Sequence, residues 1–238
     1  MLPILESVFD RLQQALGEQV SAVSLTKASL VHLSHCAEGL ILKHRLPAMI
    51  FTGFQESSHW HKETQRYREL ANITKQITIF AGGKLPPELD TQLLQVTLAN
   101  DDPMRQEWVL VVLSDELSLV LAGQDSLQPT KQEAERLFDV LWSFQPQAVQ
   151  TTLNSLEGIV ERYVPEKLPL LQAARQEYHI GHPNPDLASE FVMDLLHFES
   201  RISQQLNYEQ NANRTKTFLM HLITHEFRTC CVARLKKV

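Results

Sequence analysis

The chain has 238 residues, 43% hydrophobic and 21% charged, a composition that supports one sizeable core plus an appendage. Its net charge of −6 offers no broad basic surface for a phosphate backbone and argues against nucleic acid as a direct partner. Cys36, Cys230 and Cys231 form no even framework, no signal peptide opens the chain, and the longest apolar runs, such as Trp108 to Leu113, are strand-sized, so a cytoplasmic protein with reduced thiols and no membrane contact is expected.

The opening "LPILESVFDRLQQAL" places Leu5, Val8, Phe9, Leu12 and Leu16 at helical spacing. A second helix follows in "TKASLVHLSHCAEGLILKHRL", with Leu30, Leu33, Ala37, Leu40 and Ile41 as its inward stripe. "PAMIFTGFQ" and "ITIFAGG" are short apolar runs bounded by Pro and Gly, hence buried strands. Between them lies the charged helix "SSHWHKETQRYRELANITKQ", with Ser57 or Ser58 as its N-cap. Together they predict a βαβ unit with parallel strands and a right-handed crossover.

"LLQVTLAND" predicts a third strand, and "EWVLVVLSDELSLVLAGQD" predicts two more joined through Ser114-Asp115-Glu116, giving a mixed sheet. From Thr130, "TKQEAERLFDVLWSFQ" is expected to be helical, opened by a Thr-x-x-Glu capping box with Glu133. Pro146, Pro165, Pro169, Pro183 and Pro185 divide the remainder into helices of about 18, 9 and more than 40 residues. Along the last, Leu187, Phe191, Leu195, Phe198, Ile202 and Leu206 recur every three or four residues. Such a strip pairs as a coiled coil or packs on its own domain.

Several residue groups invite functional readings. Gly53-Phe54-Gln55 ends a predicted strand, and Arg66, Tyr67 and Arg68 lie on the next helix. Together they are candidates to line a ligand crevice at the carboxyl ends of the strands. The alternative is that both arginines are solvated while Tyr67 packs the sheet. His59 and His61, with His32 and His35, supply no recognised metal spacing, and no metal is expected. Cys36 on an apolar face reads as a small core residue. A hydrolase or dinucleotide enzyme lacks its minimum motifs, such as Gly-x-Ser-x-Gly or a phosphate loop.

"HEFRT", His225 to Thr229, preceded by "NRTKTFLMHLIT", resembles the H-box of two-component sensor histidine kinases. A neutral imidazole is nucleophilic near neutral pH, and an adjacent carboxylate orients it and accepts its proton. The resemblance makes His225 the phospho-acceptor and Glu226 its helper. The family places proline after the threonine, where this chain has Cys230, and thirteen residues follow His225. They cannot supply a second hairpin helix or an ATP-binding domain. No cofactor is therefore expected in this chain, ATP and Mg belonging only to the missing kinase domain, and the chain alone is expected to be inactive. A frameshift or truncation after Thr229 is the expected cause.

Residues 28–125 carry a second resemblance, to the DICT sensory domain of diguanylate cyclases and two-component systems. It rests on "LVHLSHCAEG", "IFTGFQ", "RYRELA", "ITIFAG" and "EWVLVVLSDELSLVLAGQD", and it implies an α/β input module. The expected fold is thus an α/β domain (an α+β mixed sheet) at 1–146, a helical connector at 147–185, and a long coiled-coil-like dimerisation helix at 186–238. The expected function is the input part of a sensor histidine kinase in a phosphorelay, forming a homodimer. Its partners are a response regulator or an intact histidine kinase, together with a small ligand or sensory partner whose identity is open. The alternative is a non-enzymatic adaptor that dimerises with an intact kinase.

Overall fold

The computed structural model describes residues 7–17, 20–83, 93–198, 200 and 201, and for residues 56–62 the backbone alone. At its centre is a seven-stranded mixed sheet of order β1-β7-β6-β5-β2-β3-β4. The strands are β1 (Val23–Thr26), β2 (Met49–Glu56), β3 (Gln76–Gly82), β4 (Leu93–Leu98), β5 (Glu107–Leu113), β6 (Leu119–Asp125) and β7 (Leu137–Ser143). β2, β3 and β4 are parallel, and the other pairings are antiparallel. The predicted βαβ unit is β2, α3 (Ser57–Ala71) and β3, and the predicted hairpin is β5 with β6.

Helices cover both faces. α2 (Lys27–His44) is capped by Thr26 Oγ1, which accepts from the Ser29 N–H at 3.2 Å. Its stripe of Leu30, Leu33, Ala37, Leu40 and Ile41 is buried, and it lies with α3 on one face. On the other face lie α1 (Val8–Leu16) and α4 (Pro146–Tyr163). Val8, Phe9 and Leu12 of α1 join Val149, Leu153 and Leu156 of α4 over Phe51, Val109, Val111 and Val120 of the strands. Burying each such side chain contributes about 1.5–3 kcal/mol.

Two elements differ from expectation. The segment expected to form a helix from Thr130 is a 3-10 turn at Glu133–Glu135 followed by β7. The capping box does not form, because Thr130 donates to the Gln132 carbonyl and Glu133 is taken by Lys27 at 2.5 Å and Arg136 at 2.8 Å. Phe138, Val140 and Leu141 are buried while Asp139 and Trp142 are exposed. Pairing with β6 on one side and β1 on the other outweighs the helical pattern. β1 itself was not anticipated: it is four residues long, on the sheet edge, with Val23 exposed.

The prolines mark helix starts, at α4 with 18 residues, at α5 (Leu168–Arg175) with 8, and at a helix over residues 185–198; the rest of the helix expected to exceed 40 residues lies, past residue 201, outside the described residues. Residues 147–185, expected as a connector, carry α4 and α5, which belong to the same compact unit as the sheet, Met1–Phe191. Leu187 and Phe191 are buried in that unit, Phe191 lying 5.5 Å from the Trp142 ring and 5.6 Å from Phe144. Glu190 binds Lys43 at 2.6 Å and His44 at 2.9 Å at the end of α2. The second unit is Val192–Val238; within its described part, Val192, Met193 and Leu196 are exposed. Ile202 and Leu206, the end of the apolar strip, lie outside the described residues.

Candidate functional site

β2 alternates its side chains between the two faces, so Thr52 and Phe54 point toward α2 and α3 while Phe51 joins the opposite core. Under α2 and α3 a polar cluster interrupts the apolar packing. Glu38, on α2, is only 2% exposed and forms an ion pair with Arg66 of α3. Its other oxygen accepts from the Tyr67 hydroxyl at 2.8 Å, and Thr52 Oγ1 lies 3.1 Å from the phenol oxygen. Arg66 also donates to the His35 carbonyl at 2.7 Å, and His35 Nε2 lies 2.9 Å from Glu63. The ring of Phe54 meets Tyr67 edge-on, centroids 5.9 Å apart.

One carboxylate thereby ties α2, α3 and β2 together. Burial pushes the Glu38 carboxyl above its ordinary range, against the pull of the Arg66 charge and of the donors around it. Burial, and then the neighbouring Glu38, push the Tyr67 phenol well above its usual value, so it remains a hydrogen-bond donor.

Gln55 turns elsewhere. It is 6% exposed, follows the register shift of β2, and directs its amide N–H toward Asp125 Oδ2 at 3.5 Å. Its Oε1 has no partner. Asp125, at the end of β6, is already held by Arg136 and accepts from the Leu127 N–H at 2.9 Å, which fixes Leu127 at φ 54°. Arg136 stacks over Phe138, 5.6 Å from the ring centroid. Of the residues expected to line a ligand crevice, Phe54, Arg66 and Tyr67 therefore meet at one clamp, Gln55 belongs to a second cluster, and Arg68 is exposed.

Sequence reasoning missed Glu38, Thr52, Asp125 and Arg136 as partners. A detectable signal existed for Glu38: it sits between the apolar inward residues Ala37, Leu40 and Ile41, where a charge requires a buried counter-charge.

His225 and Glu226 lie outside the described residues, as do the side chains of His59 and His61. Cys36 is buried, its sulfur 3.3 Å from His32 Nε2. Among the described residues no three His, Cys, Asp or Glu side chains gather to hold a metal, and no helix is long and apolar enough to cross a membrane.

The Glu38 cluster thus ties two helices to one strand of a mixed α/β sheet. The family model described as the sensory domain in diguanylate cyclases and two-component systems, DICT, matches residues 6–125, half of the chain, from α1 to the end of β6. The chain belongs to this family, a sensory domain of signalling proteins. No curated protein and no solved structure matches the chain.

Proposed function

We propose that the chain is the input part of a two-component sensor histidine kinase, with His225 as phospho-acceptor and Glu226 orienting its ring. The observation that carries this reading is the joint presence, in one chain, of a DICT domain over 6–125 and the H-box-like string His-Glu-Phe-Arg-Thr at 225–229. The clamp of Glu38, Arg66 and Tyr67 supports the sensing half of it. A small ligand or partner that engages the partly exposed Arg66 redistributes the hydrogen bonds that hold α2 and α3, with Phe54 packed beside Tyr67 and Gln55 in the neighbouring cluster. The resulting change in helix packing travels to a dimeric C-terminal helix and repositions His225. A response regulator then takes the phosphoryl group.

The test is phosphorylation of the full chain with Mg-ATP, first alone and then with an intact related histidine kinase. Acid-labile label on this chain that disappears in His225→Gln supports the reading. Label in the second mixture alone assigns the chain the adaptor role, with the kinase supplied in trans. Label retained in His225→Gln, or none in either mixture, overturns the phospho-acceptor assignment.

A further inference from the structure

Glu107 opens β5 on the face covered by α1 and α4, in phase with Val109 and Val111. It is fully buried. Its Oε2 accepts from the backbone N–H groups of Val8 at 3.1 Å and Phe9 at 3.3 Å, the first turn of α1. Its Oε1 has no partner. These two bonds bridge almost a hundred residues of chain and tie the first turn of α1 to the sheet.

The largest influences on this carboxyl are burial, neutral donors and an acid, not a cation. On α1, the Ser7 hydroxyl bonds the carboxyl and Asp10 adds a second negative charge nearby. Gln124 of β6, opposite in register, is neutral. Arg105, two residues earlier, directs its guanidinium to Asn100 at 2.5 Å. The residues that α4 buries, Ala148, Val149, Thr152, Leu153 and Leu156 among them, carry no charge.

We propose that Glu107 is a pH-sensitive latch on α1: protonated, it leaves the helix docked on the sheet and α4, and ionised, it favours release of the helix into water. An anion with one unpaired oxygen is costly in a buried apolar site, and release hydrates it. Burial is the main cause that raises the carboxyl to about 7; Ser7 and the two backbone donors oppose the rise, and Asp10 adds to it. Because the docked state holds the proton more tightly than the released state, docking weakens as pH rises from the ordinary carboxylate range through about 7. Release would change what Val149 and Leu153 of α4 pack against, and so pass a change of pH to the helices that follow.

The experiment is hydrogen exchange of the full chain, read on peptides covering residues 7–17 and corrected for the intrinsic pH dependence of exchange. Opening of α1 should rise roughly tenfold from pH 6 to pH 8 in the wild type and stay flat in Glu107→Gln. A flat wild-type profile, or an equal slope in the variant, overturns the latch. A carbon-13 titration of the Glu107 carboxyl in the wild type provides a check that needs no variant. A midpoint near 7 supports the proposal, and one in the ordinary carboxylate range overturns it.

Discussion

Glu38 and Glu107 are buried on opposite faces of one sheet, and their surroundings treat them differently. Glu38 has a cation, a phenol and, through Tyr67, a threonine around it, so each of its oxygens has a donor. Glu107 has two backbone amides on one oxygen, the Ser7 hydroxyl nearby and an acid, Asp10, in place of a cation, and its other oxygen has no partner. In both, burial raises the carboxyl. The first is a cross-link whose loss leaves a stranded charge; the second is a contact whose strength depends on its proton.

The largest effect is expected from Arg66→Met, which strands Glu38 without its cation. Removing one partner of a buried pair typically costs about 3–5 kcal/mol, and urea unfolding should show a loss near the lower end, because Tyr67 still donates. The sign with pH follows from the same charge. Without Arg66 the folded-state Glu38 binds its proton more tightly still, so the deficit is full at high pH and shrinks as pH falls and the acid protonates. Adding Glu38→Leu to Arg66→Met should recover much of the loss. A double variant as unstable as the single one would show that the guanidinium matters for packing, not charge.

The second effect, about 2–3 kcal/mol, concerns Glu107 and has the opposite direction. Its folded-state carboxyl sits at about 7, above the unfolded value, so wild-type stability should decline between pH 5 and 8. Glu107→Gln removes the titration, and its unfolding midpoint in urea should exceed that of the wild type at pH 8 while lying close to it at pH 5. Equal pH slopes in the two proteins would place Glu107 in a more hydrated site than its full burial implies.

Much of the architecture was readable because periodicity and punctuation agreed. β2, α3 and β3 each carry one unambiguous pattern, and prolines stand at the starts of α4 and α5. β7 was misread because Leu137, Val140 and Leu141 fit a helical stripe as well as a strand, and the Thr130-to-Glu133 box tipped the balance. Only the tertiary pairing of Glu133 with Lys27, about a hundred residues away, shows that its carboxylate is spent elsewhere. The site was legible by position, with Phe54, Arg66 and Tyr67 at the end of a parallel strand and on the next helix. Its chemistry was not, since Glu38 meets Arg66 across 28 residues and no local spacing encodes that contact.

Tyr67→Phe tests the clamp more gently. It leaves the ring against Phe54 but deletes the donor to Glu38 and the contact with Thr52. A loss of about 1–2 kcal/mol is expected, and it should not add to that of Arg66→Met, because both act on the same carboxylate. Strict additivity, measured in the double variant, would mean that the two donors serve Glu38 independently.

The smallest effect opposes two threonines on adjacent strands. Thr52 faces α3 and meets the Tyr67 hydroxyl, whereas Thr78, paired in register with Phe51, faces the other core and its fully buried hydroxyl has no partner. Valine replaces threonine at nearly constant shape, so the change isolates the hydroxyl. Thr52→Val should cost about 1 kcal/mol by removing a satisfied bond. Thr78→Val should gain a few tenths to about 1 kcal/mol, since burying an unpaired hydroxyl is unfavourable and the methyl that replaces it is not. Opposite signs in thermal unfolding would show that the two faces differ in polar satisfaction rather than in tightness of packing. A loss at both positions would instead mean that Thr78 has a hydrogen-bond partner in solution, and the contrast between the faces would then rest on Glu107 alone.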